Sequence, residues 1–280
     1  MLLMPIHTFF QKRLVKFNKM LYSVYIDIHS KTVHLEEINM NDWKEAFWLA
    51  KFELKKLKSG FAMLALMAIM FSMFFATVIP KNMERSTVML DIFFFIVFGF
   101  GTAWIKPKEF NHQKIGGDFW ASPFFITLRQ LPIQKDVLIK SRFIIFFAFA
   151  VPYYLGISIL TYAFSPDLRA ALDLKEYFAF IMIWIGIGIH LGASFPASDV
   201  GYRLSTVKFV LYIFALFFGL IFFFTIFNIF YGNGFVPLTM LMAEKWPLVS
   251  IIASVLFAAI GVLYSQKYMS KKIEKMDYLF

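Results

Sequence analysis

Within the apolar stretches of this chain, few side chains have chemistry to offer. Asp91 and His190 are the groups a proton relay would use, because relays across membranes are built from Asp, Glu and His facing a helix-bundle interior. Thr225 and Asn228 share one helical face, and an amide in hydrocarbon needs a hydrogen-bond partner. Asp199 and Arg203, between two apolar stretches, are a carboxylate and a guanidinium of the kind a lipid-modifying enzyme places at a membrane interface. Larger catalytic signatures are missing. No G-x-x-x-x-G-K-[ST] loop is present to cradle phosphates, and no H-E-x-x-H is present to hold zinc. The histidines, at positions 7, 29, 34, 112 and 190, contain no i, i+4 pair, and the absence of cysteine excludes thiol nucleophiles, disulfides and Cys-ligated metals. Neither a catalytic set nor a metal site is therefore expected. Asp91, near the outer end of its stretch, is expected to face water or headgroups. His190, beside Gly188 and Gly192, is expected to be a hydrogen-bonded packing residue, and Asp199 with Arg203 an ordinary connecting pair. Thr225 and Asn228 either bond across a dimer interface or line a translocation path, and both readings stay open.

The elements that must position these residues follow from composition. The chain has 280 residues, 60% of them hydrophobic and 16% charged, with 38 Phe. A water-facing core of this length cannot hide that much apolar surface, so a soluble globular enzyme is excluded and the bilayer must be part of the solvent. Apolar runs long enough to span hydrocarbon fall at about 59–79, 88–105, 143–164, 177–195, 207–231 and 247–265. The fold class expected is thus an all-α integral membrane protein of six transmembrane helices. Lys and Arg alternate strongly between the connecting segments, 23 on one side against 5 on the other. The positive-inside rule then places both termini in the cytoplasm. The net charge of +10 is read as topological rather than as a nucleic-acid footprint, and basic stretches such as Lys51, Lys55, Lys56 and Lys58 suit anionic lipid headgroups.

Residues 1–40 read as an N-terminal arm, mixed in polarity and without the apolar core of a signal peptide. Glu36 and Glu37 can be encoded by a purine-rich, ribosome-binding-like stretch ahead of Met40, so Met40 is expected to be the true start and residues 1–39 a start-site artefact; a surface-lying arm is the alternative. Asn41, Asp42 and Glu45 offer a capping-box start. From there Trp43, Phe47, Ala50, Leu54 and Leu57 recur at helical steps, with lysines on other faces, predicting an amphipathic helix on the inner leaflet. The segment 106–142 is long for a plain connection. Phe124, Leu128 and Leu131 predict a short helix, Pro132 interrupts it, and a second helical stretch leads into the third span. Gly188 and Gly192 on the fourth span, and Ser250, Ser254 and Ala258 on the sixth, predict faces of close helix approach.

Three segments carry a resemblance: WKEAFWLAKFELKK before the first span, LRQLPIQKDVLIKSR before the third, and NGFVPLTMLMAEKWP before the sixth. Over residues 41–280 the chain resembles the transmembrane subunits of ATP-binding cassette (ABC) type-2 exporter permeases. The resemblance implies a six-span permease domain over 41–280, an interfacial connecting helix over 43–58, and an ATPase-coupling element over 128–140. Leu128, Leu131, Pro132, Ile133 and Lys135 are the implied coupling residues. Residues 232–246 would form short re-entrant helices at the outer face, with a plain extracellular loop as the alternative. The implied partners are a separate ABC ATPase, a second copy of the chain or a similar permease, and membrane lipid. ATP and Mg would be bound by the partner ATPase, with no cofactor on this chain. The implied activity is export of an amphipathic or hydrophobic cargo (a peptide, an antibiotic or a lipid-linked compound) across a bacterial plasma membrane by alternating access. A non-transporting interaction or sensor subunit, or an integral-membrane enzyme, are the readings set against it.

Overall fold

A computed structural model describes residues 41–83, 86–105 and 112–276, and the N-terminal arm lies outside them. The chain enters through α1 (Asn41–Lys56), breaks at Leu57, and continues as α2 (Lys58–Val78). A 3-10 turn, Pro80–Asn82, precedes α3 (Val88–Phe100), which tightens into a second 3-10 segment, Gly101–Ile105. Strands β1 (Gln113–Gly116) and β2 (Phe119–Ala121) form a hairpin, followed by α4 (Pro123–Arg129) and the long α5 (Lys135–Phe164). Then come α6 (Pro166–Ala171), α7 (Leu174–Gly192), α8 (Ser194–Ser198), β3 (Tyr202–Arg203), α9 (Thr206–Tyr231), α10 (Phe235–Lys245) and α11 (Pro247–Lys275). The described residues from Asp42 onward belong to one compact unit.

Among the described residues, five helices are long and apolar enough to cross a membrane: Ser59–Val78, Lys135–Phe164, Leu174–Ser198, Thr206–Tyr231 and Pro247–Lys275. The architecture is therefore helical and compatible with a multi-pass membrane protein. The second expected span is the shorter one. Helix α3 rises only about 20 Å, against roughly 30 Å of hydrocarbon. Its end lies inside the protein, where unpaired carbonyls are costly. Two phenols add donors there: Tyr153 donates at 3.1 Å to the Val97 carbonyl, which also accepts from the Gly101 amide, and Tyr154 donates to the Phe98 carbonyl at 2.8 Å. The start of α3 is capped by Thr87, whose side chain accepts from the Leu90 amide.

Aromatic rings fill the centre. Phe75 and Phe94 lie 4.2 Å apart between ring centres, Phe94 and Trp184 4.9 Å, and Phe98 stacks on Tyr154 at 5.9 Å. Helix α7 packs most extensively against α11, α2 against α5, and α3 against α7. Glycine permits the closest of these approaches. A Cβ on Gly186 would stand 2.7 Å from the Ser254 carbonyl oxygen, and one on Gly261 2.6 Å from the His190 Cα. Gly188 and Gly192 turn instead toward Tyr154, the Phe98 carbonyl and Phe146, so of the expected small-residue faces it is Ser254 that meets α7, through Gly186.

The helical architecture agrees with the expected all-α membrane class, and beside the helices it carries one small sheet. Residues 113–121 and 202–203 form a three-stranded antiparallel sheet in the order β1-β2-β3, pairing Gln113 with Ala121 and Phe119 with Arg203. Helical periodicity could not announce it, because each strand is only two to four residues long and β3 lies more than eighty positions from its partner β2. Gly201, with φ at +96°, closes the corner, since a Cβ there would meet Ala121 Cβ at 2.6 Å.

Candidate functional site

The elbow between α4 and α5 is built from a capped helix and a proline. Ser122 caps α4 from an extended backbone, its side chain accepting from the Phe125 amide, and Pro123 occupies the first turn. The buried face of α4 is Phe124, Phe125, Ile126 and Leu128. Leu128, expected among the docking residues, is thus a core anchor. Beyond it the chain turns outward: Gln130, Pro132 and Gln134 are exposed, and Leu131, Ile133 and Lys135 are half-buried. The turn is held by hydrogen bonds from the Leu131 amide to the Leu128 carbonyl and from the Ile133 amide to the Leu131 carbonyl. Lys135 pairs with Glu274 near the end of α11, which ties the elbow to the C-terminal helix. The small sheet runs directly into the Ser122 cap of α4, and on it Trp120 donates from Nε1 to the Leu204 carbonyl at 3.1 Å and stacks on Phe209 of α9.

Helix α1 splits the five residues expected on its apolar face. Ala50 and Leu57 are buried, Leu54 is half-buried, and Trp43 and Phe47 are 61% and 59% exposed. The face turned to the protein is Ala46, Leu49, Ala50, Glu53 and Leu57. Polar contacts fasten both ends of this helix to α5. Asp42 accepts from Lys140 Nζ at 2.9 Å while that ammonium lies 5.3 Å from the Trp43 ring centre, and Glu53 pairs with Arg142 in a fully buried contact. Partial burial, reinforced by Asp42, holds the Glu45 carboxyl above its ordinary range. Sequence reasoning missed the Glu53–Arg142 pair, although two opposite charges within otherwise apolar helical faces are a signal of this kind.

At the other end of the molecule Asp91 is fully buried, which corrects the expectation that it faces water. Its Oδ2 accepts from the Phe235 amide at 2.8 Å and its Oδ1 from the Val236 amide at 3.0 Å, with Ser86 Oγ donating to Oδ1 at 2.6 Å. The carboxylate is therefore the cap of α10, supplied from a helix more than 140 positions earlier. Gly234 makes the approach possible, with φ at +89° and a Cβ position only 2.1 Å from Ser86 Oγ. Asn228 donates to the Ser86 carbonyl at 3.2 Å, so its amide finds a partner within the chain, while Thr225 sits half-buried one turn before it. Residues 232–246 hold a helix rather than a plain loop, and Trp184 Nε1 donates to Thr239 at 3.2 Å to pin it to α7.

His190 stacks on Phe257 at 3.9 Å and donates from Nδ1 to the Phe257 carbonyl at 2.8 Å, a packing arrangement between α7 and α11. Asp199 and Arg203 do not act as a pair: Asp199 is buried at the end of α8, whereas Arg203 is exposed on β3. His112 stands 4.0 Å from Asp199 and donates to the Ser198 carbonyl at 2.8 Å. Among the described residues no group of three His, Asp or Glu is placed to hold a metal ion. No family profile, curated protein or solved structure matches this chain. The class that the fold supports is a multi-pass helical membrane protein with a braced polar elbow at one end and a carboxylate-capped helix at the other.

Proposed function

We propose that this chain is the transmembrane subunit of an ATP-driven ABC exporter in a bacterial plasma membrane, with the short α3 completing a six-span bundle and both termini in the cytoplasm. The observation that carries the reading is the elbow: an exposed Pro132 tip with half-buried Leu131 and Ile133, tied through Lys135 to Glu274 of α11. A partner that pushes such a tip moves α5 directly, because the helix begins only three residues beyond the proline. The partner is a separate ATPase that binds ATP and Mg, and the working unit pairs this chain with a second copy or a similar permease. Helix α9 supports that pairing, since only Phe224 of its 26 residues is buried within one chain. An amphipathic or hydrophobic cargo suits the aromatic interior, and α1 lies on the inner leaflet with Trp43 and Phe47 in the headgroup region.

The test is copurification of the tagged chain in mild detergent with quantitative mass spectrometry. A phosphate-loop ATPase at matching abundance is expected, and it should be lost in a Pro132→Glu, Ile133→Asp variant that still extracts and folds. Purification of the chain alone, in a detergent that preserves a known exporter complex, would overturn the reading.

A further inference from the structure

Arg142 is the meeting point of four separate elements. Its guanidinium pairs with Glu53 of α1 and lies 5.4 Å from the ring centre of Phe124 on α4, and its side chain shares one cavity wall with Asp199 at the end of α8. The fourth element is the 3-10 segment that contains Thr102. All of these groups except Phe124 line one cavity of about 40 Å³, whose remaining wall is apolar: Ile145, Phe146, Phe149 and Phe195. Arg142 is only 4% exposed and Thr102 7%. Arg142 Nε and Thr102 Oγ1 have no hydrogen-bond partner on the protein.

We infer that this cavity is a water-binding site in which Arg142 is shared between Glu53 and Asp199. Three physical arguments lead there. A buried N–H and a buried hydroxyl left unpaired each carry a desolvation cost, so two of them on residues that line one cavity call for a small hydrogen-bonding occupant. The space is about three times what one water requires, and the site has a donor, a hydroxyl and a carboxylate, which together satisfy a water's two to four bonds. The charge balance selects a neutral ligand. Two carboxylates and one guanidinium leave a net negative site that disfavours an anion, while the guanidinium itself disfavours a metal cation.

Sharing follows from the same geometry. A planar guanidinium offers five N–H donors in a fixed fork; Glu53 takes the Nη2 end, Nε has no partner on the protein, and Arg142, Glu53 and Asp199 line the same cavity. If α1 withdraws Glu53, water and Asp199 remain to receive the charge, so the interfacial helix can disengage without stranding a buried cation. Arg142 lies seven residues into α5, two turns beyond the elbow. Movement of that helix is thereby converted into attachment or release of α1. This argument does not depend on which partner, if any, docks on the elbow.

The experiment uses the full chain in lipid nanodiscs. X-ray radiolysis generates hydroxyl radicals from bound water, and mass spectrometry reads oxidation at Phe146 and Phe149 against the dry core residue Phe98. Labelling at least about tenfold above Phe98 is expected, falling about threefold or more in Thr102→Val, which keeps the shape but removes a partner of the water. Labelling at the Phe98 rate, or labelling indifferent to Thr102→Val, would overturn the water site. Sharing is tested by backbone hydrogen exchange of residues 42–56 in Glu53→Gln, Asp199→Asn and the double variant. The double variant is expected to speed exchange at least about tenfold more than the product of the two single effects. Multiplicative behaviour would overturn the sharing. Should the double variant fail to fold while both single variants fold with little loss, that non-additivity is itself the expected coupling; a single variant that fails alone shows that no second carboxylate stands in, and overturns it.

Discussion

Asp91 is the residue whose role depends most on its surroundings. A buried carboxylate is expensive unless hydrogen bonds receive it, and here two backbone amides and a hydroxyl do so at the positive end of α10. Asp91→Asn keeps one acceptor but turns an NH₂ toward an amide donor. It is expected to destabilise the protein by about 2 kcal/mol, the range of hydrogen bonds to charged groups, and to loosen α10 before the rest of the bundle. Detergent or thermal unfolding read together with exchange at residues 235–245 checks both parts. Tyr154→Phe removes the donor to the Phe98 carbonyl at the end of α3 and is expected to cost about 1–3 kcal/mol, because the carbonyl is left without that partner in an apolar interior.

At the scale of elements, the tight contact between α7 and α11 rests on Gly186 and Gly261. Gly261→Val would drive a side chain into the His190 backbone, where a rigid helix, not a flexible side-chain tip, must move. A loss of about 1–3 kcal/mol is expected, whereas Gly219→Val on α9 should be nearly neutral in the single chain because nothing lies within 4 Å of a Cβ there. Unfolding midpoints of the two variants side by side provide the check. If Gly219→Val weakens self-association while leaving the monomer's stability unchanged, α9 is the face that a second copy covers, as its exposed phenylalanines suggest. The elbow shows how local signals combine: Ser122, Pro123 and Pro132 set its turns, and partners distant in sequence set its rigidity.

The arrangement of the whole molecule separates two polar ends by an aromatic interior. The chain has no cysteine, so single cysteines can report topology on a clean background. Gln130→Cys at the elbow and Asn233→Cys beside the α10 cap are both exposed positions. In right-side-out vesicles an impermeant maleimide is expected to label the cysteine at 233 and to leave that at 130 unlabelled until the membrane is opened. Labelling of both in sealed vesicles would contradict the orientation drawn from the Lys and Arg distribution.

Much of this organisation is legible without coordinates. Runs such as those before Val78 and Tyr231 are too apolar and too long to be anything but helices that bury their backbone bonds, and this follows from composition alone. The interruption at Pro132 and the helix start at Ser122 are likewise local chemistry. What composition left open is which polar groups find one another. Its place near a span end predicts that Asp91 faces water or headgroups; only the fold brings the Phe235 and Val236 amides to it. Glu53, Arg142 and Asp199 lie dozens of residues apart, and no periodicity relates them, so their shared cavity exists only once four elements have packed. Hydrophobicity is a property each residue carries with it, whereas the satisfaction of a buried polar group is a property of the place it occupies.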